Sequence, residues 1–84
     1  MRTSHAQESS YIYQSILNDL YMGEVININN LAHKFDYDVS SIYKIIKKID
    51  YNFATINSHL KIVKISPKCY QLEYDNKIIS INKN

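Results

Sequence analysis

The chain has 84 residues, 45% of them hydrophobic and 21% charged, with a formal net charge of +2. This length fits one domain, which excludes a second sensory or catalytic domain within the chain. The composition is that of a folded protein rather than a disordered one, and a net charge this small does not identify a nucleic-acid partner by itself.

The sequence also bears on the compartment. A single cysteine, Cys69, excludes an internal disulfide, so nothing indicates secretion. Residues 1–10 lack the apolar segment of a signal peptide, and no apolar run approaches the roughly 20 residues of a membrane span. We therefore expect a cytoplasmic protein without a membrane partner.

The first predicted element is a helix that begins at Ser10. Residues 1–9 are polar and without periodicity, which predicts a flexible N-terminal tail. Gly23, the sole glycine, follows the last periodic residue and predicts a left-handed stop. The apolar residues of this helix recur at spacings of three and four and share one face: Ile12, Tyr13, Ile16, Leu17 and Leu20.

Two further helices are predicted after a short β-favouring stretch at residues 24–26. Asn27 is a good N-cap for the second helix, which turns Leu31, Ala32 and Phe35 inward. Residues 36–38 predict a turn, and Asp38 can cap a third helix over residues 39–50. In the third helix the apolar stripe comprises Ile42, Ile45, Ile46 and Ile49.

The rest of the chain is typical of β-structure. Residues 53–56, residues 60–65 and Cys69–Tyr74 are rich in β-branched and aromatic residues, and residues 66–68 predict the turn of a hairpin. The broken alternation at residues 62–65 suggests a bulge. Residues 77–84 are either a C-terminal tail or an edge strand.

This element order predicts an α+β fold of the winged helix-turn-helix type over residues 10–76. Three helices form a bundle with a short first strand, and a C-terminal β-hairpin forms the wing. The segment 44–68 contains six lysines and one acid, Asp50, which gives it five net positive charges while the rest of the chain is net negative. Such a concentrated patch can hold phosphates in a nearly neutral protein.

Residues 31–49, LAHKFDYDVSSIYKIIKKI, resemble the N-terminal DNA-binding domain of DeoR-type and WYL-type bacterial transcriptional regulators. The pattern of those families reads roughly L-A-x-x-F-G-V-S-x-x-T-I-x-x-x-L-x-x-L, and the resemblance extends over about residues 11–49. Asp36 stands where glycine is usual, and Tyr43 and Lys44 stand where arginines are common. The resemblance implies a DNA-binding fold but carries no base preference.

The exposed side of the third helix is the predicted DNA-binding surface, because a helix fits the major groove of B-DNA. Ser40 and Lys44 are the candidates for base edges, while Lys47 and Lys48 are candidates for phosphates. The remaining residues assigned to DNA binding on this helix are Ser41 and Tyr43. The alternative is an ordinary solvated helix face.

The predicted wing adds Lys61, Lys64 and Lys68 as DNA-backbone contacts. A basic hairpin tip can lie along the backbone or enter the minor groove. The alternative for these lysines is protection of an exposed strand edge against aggregation, and the sequence does not choose between the two.

No other chemistry is indicated. The histidines and Cys69 lack metal-ligand spacing, and no catalytic grouping or phosphate loop is present, so we expect no metal, no cofactor and no enzyme. Several tyrosines suit core edges or a dimer surface, and a homodimer through helix one or the C-terminal strands is a hypothesis. The tyrosines in question are Tyr11, Tyr13, Tyr21, Tyr51, Tyr70 and Tyr74.

The function predicted from these features is that of a transcriptional regulator that binds double-stranded DNA. A protein–protein interaction module is the alternative from another class, because winged helices also serve as docking domains. A third hypothesis is a plasmid or phage protein of replication or partition, which would bind DNA as well.

Overall fold

The structure, a computed structural model, describes residues 5–56, 59–75 and 77–78. Over these residues it is an α+β fold of three helices and a small antiparallel sheet of four strands, which confirms the predicted class at this level. In chain order the elements are α1 His5–Tyr21, β1 Ile26–Asn27, α2 Ile28–Phe35, α3 Val39–Ile56, β2 Leu60–Ser66, β3 Cys69–Tyr74 and β4 Lys77–Ile78.

Helix α1 begins at His5, so residues 5–9 are helical rather than part of a tail. Ala, Gln and Glu in this stretch are good helix formers, and Glu8 in the first turn offsets the positive end of the helix dipole. These signals lie outside the apolar periodicity used for the prediction. Residues 1–4 of the predicted tail lie outside the described residues.

The C-terminal end of α1 confirms the predicted stop at Gly23, whose φ is 79°. The Glu24 amide donates to the Asp19 carbonyl at 3.0 Å, and the Gly23 amide donates to the Leu20 carbonyl at 3.0 Å. This pair of bonds is the Schellman arrangement, which satisfies carbonyls left free at a helix end.

Helix α2 is capped at both ends by polar residues. The Asn27 side chain accepts a hydrogen bond from the Asn30 amide, which confirms the predicted N-cap. Asp36 closes the helix in the left-handed conformation, with φ 56° and ψ 49°. Glycine is the residue that adopts this conformation without a steric penalty, and Asp is one of the few others that tolerate it.

Helix α3 begins at Val39, as predicted, and the Asp38 carbonyl accepts the amides of Ser41 and Ile42. It ends at Ile56 instead of residue 50, so the predicted β-stretch at residues 53–56 is wrong. Phe53 lies four residues after Ile49, continues the buried stripe and is only 5% exposed. Burial of this ring on the helical face overrides the β-propensity of its neighbours.

Strand β3 is the centre of the sheet. It pairs with β2 along one edge, while β1 and β4 pair with opposite ends of its other edge. The β2–β3 register shifts between Lys64 and Ser66, which confirms the predicted bulge. Strand β1 lies slightly later than predicted. Strand β4 realises the edge-strand alternative at residues 77–78, and residues 79–84 lie outside the described part of the chain.

One cluster of buried side chains joins the three helices to the sheet. The stripe predicted for α3 is buried, and Leu72 of β3 belongs to the same cluster and is 0% exposed. The members are Ile12, Ile16, Leu20, Ile26, Ile28, Leu31, Ile42, Ile45, Ile46, Ile49, Phe53 and Leu72. This packing fixes which side of α3 faces outward. Nowhere in the described chain is a helix both long and apolar enough to cross a bilayer.

Candidate nucleic-acid interface

The outer side of α3 carries three lysines. Ser40, Lys44, Lys47 and Lys48 are all exposed, because at 100° per residue they lie opposite the buried isoleucine stripe. Tyr51 follows on the same side and is 71% exposed. We call the surface formed by Ser40, Lys44, Lys47, Lys48 and Tyr51 the lysine face.

The three lysines of this face repel one another. Lys44 lies three residues before Lys47 and four before Lys48, and like charges at these spacings destabilise a helix by about 0.2–0.5 kcal/mol per pair. Within the described chain, no carboxylate lies within 4.0 Å of any of these ammonium groups. A bound anion would relieve this repulsion.

Asp50, the single acid of the basic segment, is engaged in holding the hairpin. Its Oδ1 accepts a hydrogen bond from the Ile62 amide at 3.0 Å. The residue is half-buried on the flank of α3 that faces the hairpin, where it lines a cleft of about 190 Å³ together with Lys47 and Tyr43. Asp50 therefore fixes where β2 lies relative to the lysine face.

The hairpin separates the three lysines predicted for the wing. In the β2–β3 register Lys64 pairs with Tyr70 on the same sheet face as Ile62 and Leu72, which is the face packed on α3. Lys61 pairs with Glu73 on the opposite face, where its Nζ lies 3.7 Å from Oε1 of Glu73. Lys64 thus lies on the sheet face that is turned toward α3, and Lys61 lies on the opposite face.

The tip of the hairpin contacts α3 through aromatic rings. The Lys68 ammonium lies 5.8 Å from the centre of the Tyr43 ring, and Tyr43 meets Tyr70 edge-on with ring centres 6.2 Å apart. Burial, followed by a hydrogen bond with Tyr43 and the proximity of that phenol, raises the pKa of Tyr70 above its usual 10.0. Both rings are half-buried, so Tyr43 positions the hairpin tip as well as bordering the lysine face.

The backbone also holds the tip in place. Lys68 has a φ of 67°, and its carbonyl accepts the Ile28 amide at 2.9 Å. The Asn27 side-chain amide donates to the Cys69 thiol at 3.5 Å. The two-residue turn is therefore fixed against the start of α2 and extends little beyond β1.

The other flank of α3 faces α1. Ser41 is half-buried there and lines a surface groove with Ser9, Tyr37, Ile45, Lys44 and Lys48. The start of α3 carries negative charge, since Asp36 and Asp38 are both exposed in the preceding turn. Charge along α3 therefore changes from acidic before its first turn to basic in its middle.

The sequence-predicted residues thus divide into groups. Ser40, Lys44, Lys47 and Lys48 lie together, and Lys64 and Lys68 join them across the hairpin flank. Ser41 and Tyr43 border the surface, and Lys61 lies apart from it. Tyr51 was assigned to a core edge or dimer surface from its ring alone; its spacing of four residues from Lys47 was the signal for the lysine face.

No metal-binding group of three or more His, Cys, Asp or Glu residues occurs within the described parts of the chain. Comparison with protein-family models, with curated proteins and with solved structures finds no match for this chain. Functional inference therefore depends on the site itself.

Proposed function

We propose that this chain is a winged helix-turn-helix domain that binds double-stranded DNA, with α3 in the major groove, and that it acts as a transcriptional regulator. The observation that carries the proposal is the lysine face, flanked by Lys64 and Lys68 on the hairpin. A major groove about 12 Å wide admits a helix of this kind. The cations then lie beside the phosphates on either side of the groove.

Each part of the surface has a distinct role in this proposal. Ser40 and Lys44, on the first turns of α3, reach base edges, where an ammonium can donate to guanine O6 and N7. Lys47 and Lys48 contact phosphates, as do Lys64 and Lys68 from the hairpin. Four phosphate contacts correspond to a slope of about −3.6 in a plot of log affinity against log salt concentration.

The order of elements supports the winged-helix interpretation, with the β2–β3 hairpin as the wing. The tip of the wing is held against the start of α2, because the Lys68 carbonyl accepts a hydrogen bond from the Ile28 amide. A tip held in this way contacts the DNA backbone beside α3 rather than entering the minor groove. The left-handed Asp36 also occupies the position where the DeoR-type and WYL-type pattern has glycine, which gives that departure a simple backbone reason.

A protein-docking module should expose an apolar patch on α3 or the wing. Single exposed apolar side chains do occur there, Ile56 at the end of α3 and Ile65 on β2. The lysine face itself consists of three lysines, a serine and one tyrosine, and this chemistry favours DNA. Self-association through α1 or the C-terminal strands stays a separate prediction. The exposed tyrosines that suit it are Tyr11 and Tyr21 on α1, at 68% and 47%, and Tyr74 on β3, at 45%. Sedimentation at working concentration tests it, and a monomer alone would reject it.

Titration of a fluorescent duplex of mixed sequence at low salt tests the main proposal. Lys47→Ala should weaken binding about eightfold at 0.1 M salt and flatten the salt slope by about 0.9, the share of one phosphate. Lys44→Ala should also relax base preference, by about 1–3 kcal/mol at the contacted pair.

The matched control is Lys61→Ala, which removes the same charge from the opposite face of the hairpin. It should change affinity less than twofold after the general charge effect is screened by salt. Equal losses for Lys61→Ala and Lys47→Ala would reject the lysine face as the binding surface. Failure of the wild-type protein to bind any duplex at low salt would reject DNA binding altogether.

A further inference from the structure

A groove runs between α1 and α3 on the side of α3 away from the hairpin. It consists of two adjoining cavities of about 410 and 230 Å³. Both are lined by Ser9, Ile45 and Lys48, so they form one continuous depression along the flank of the lysine face. No residue of α1 was assigned to DNA binding from the sequence.

The walls of the groove are rich in hydrogen-bond donors. Helix α3 supplies the Ser41 hydroxyl and the ammonium groups of Lys44 and Lys48. Helix α1 supplies the hydroxyls of Ser9 and Ser10. Ammonium groups donate only, and hydroxyls donate readily to an anion, so this set of groups suits a phosphate.

The apolar floor of the groove is formed largely by Ile45, which is 6% exposed. Next to it the Asn52 side-chain amide donates to the Tyr13 hydroxyl, so these two polar groups satisfy each other. The serine hydroxyls, the Gln14 amide and the lysine ammonium groups are thus the polar groups left to meet a ligand. The long lysine stems can lie along the floor while their charged ends stay at the rim.

Acids lie near the smaller of the two cavities. Burial first, and the negative charge of Glu8 second, raise the pKa of Tyr37, which lines that cavity. Asp38 follows Tyr37 in the chain and is exposed, so it adds a second negative charge there. The larger cavity is not lined by Tyr37 and has Lys48 beside the serines of α1, so a phosphate is better placed in the larger cavity.

We infer that the groove between α1 and α3 seats a backbone phosphate of the bound duplex, with Ser9 and Ser10 of α1 as hydroxyl donors beside Lys48. This inference rests on the proposed function. It extends that function by adding a phosphate contact on the side of α3 that faces α1. The hairpin lysines hold the strand on one side of the major groove, and the α1 groove holds the strand on the other.

A charge placed in the groove tests the inference. Ser9→Asp introduces a carboxylate where a phosphate should lie, and we expect affinity to fall about eightfold at 0.1 M salt through loss of one phosphate contact. Asn18→Asp is the matched control, since it adds the same charge to an exposed position of α1 about 13 Å further along the helix axis. This control should bind within twofold of the wild type, and Glu8→Gln should bind more tightly than the wild type.

Circular dichroism melting of each variant verifies that the fold is retained, and Ser9→Ala provides a second, non-disruptive test with an expected two- to threefold loss. If Ser9→Asp binds like Asn18→Asp while Lys47→Ala binds weakly, the groove is not a phosphate seat and the proposed function stands. If the wild type binds no duplex, the proposed function fails as well.

A second experiment distinguishes the phosphates of DNA from small phosphate ligands in solution. Amide shifts around Ser9 and Ser41 are followed in NMR titrations with duplex DNA, inorganic phosphate and a nucleoside triphosphate. We expect shifts with the duplex at concentrations close to that of the protein, and only weak effects with the small anions at millimolar concentrations. Saturation by the nucleotide at micromolar concentration, without a response to the duplex, would overturn it in favour of a free phosphate ligand.

Discussion

The hydrogen bond from the Ile62 amide to Asp50 links α3 to the hairpin, and its removal should have a measurable effect. Asp50→Ala leaves a half-buried amide without its acceptor. Loss of such a partner costs about 1–3 kcal/mol, and a bond to an ionised group falls in the upper part of that range. We therefore expect the free energy of unfolding to fall by about 2 kcal/mol.

For a domain of this size, 1 kcal/mol corresponds to a shift of about 4–8 °C in Tm, so the expected fall is roughly 8–16 °C. Asp50→Asn is the matched control because it keeps the side-chain oxygen as an acceptor and removes only the charge. It should lose about 1 kcal/mol or less. Thermal melting followed by circular dichroism, with urea unfolding as a second measure, gives both values.

The same pair of variants connects stability to binding. Asp50→Asn removes the only acid of the basic segment while keeping the hairpin in place, so we expect it to bind duplex DNA at least as tightly as the wild type. A melting temperature for Asp50→Ala within 2 °C of the wild type, or equal losses for the two variants, would refute the assigned role of the hydrogen bond.

Three further predictions concern the fold. Asp36→Gly should raise the free energy of unfolding by about 0.5–1 kcal/mol, because glycine adopts the left-handed conformation without strain; a loss in urea unfolding would contradict this. Phe53→Ala should lower the free energy of unfolding by about 3–5 kcal/mol, while Ile56→Ala, at an exposed position, should change it by no more than about 0.5 kcal/mol. Equal losses for the two variants in urea unfolding would contradict the burial of Phe53 alone. Since the folded-state pKa of Tyr70 is raised above 10.0, stability should fall as pH rises above that value, and Tyr70→Phe should flatten this dependence in urea midpoints measured from pH 9 to 11.

The helix caps and buried stripes were predictable because they are local. Asn27, Gly23 and the Ile42–Ile49 spacing each act within one or two turns of the chain, and the structure places them as expected. The boundaries that were wrong have two causes. The start of α1 depends on helix-forming residues that the apolar periodicity does not include. Phe53 continues the stripe four residues after Ile49, whereas its neighbours favour β-structure, and burial of its ring in the core decides for the helix.

The candidate surface shows the same division. The spacing of Lys44, Lys47 and Lys48 already placed them on one side of a helix. Lys61 and Lys64 are three residues apart, so alternation along a strand already puts them on opposite faces. Which of the two faces packs on α3 required the structure. The groove between α1 and α3 could not be inferred, since it arises from two helices whose contact is set by the whole core.

Amide shift mapping of the isotope-labelled protein during titration with duplex DNA tests the central claim most directly. We expect the largest changes in residues 40–51 of α3 and at Lys64 and Lys68 of the hairpin, with little change at Lys61 and Glu73 on the opposite face. Changes centred on that opposite face, or none at low salt, would contradict it.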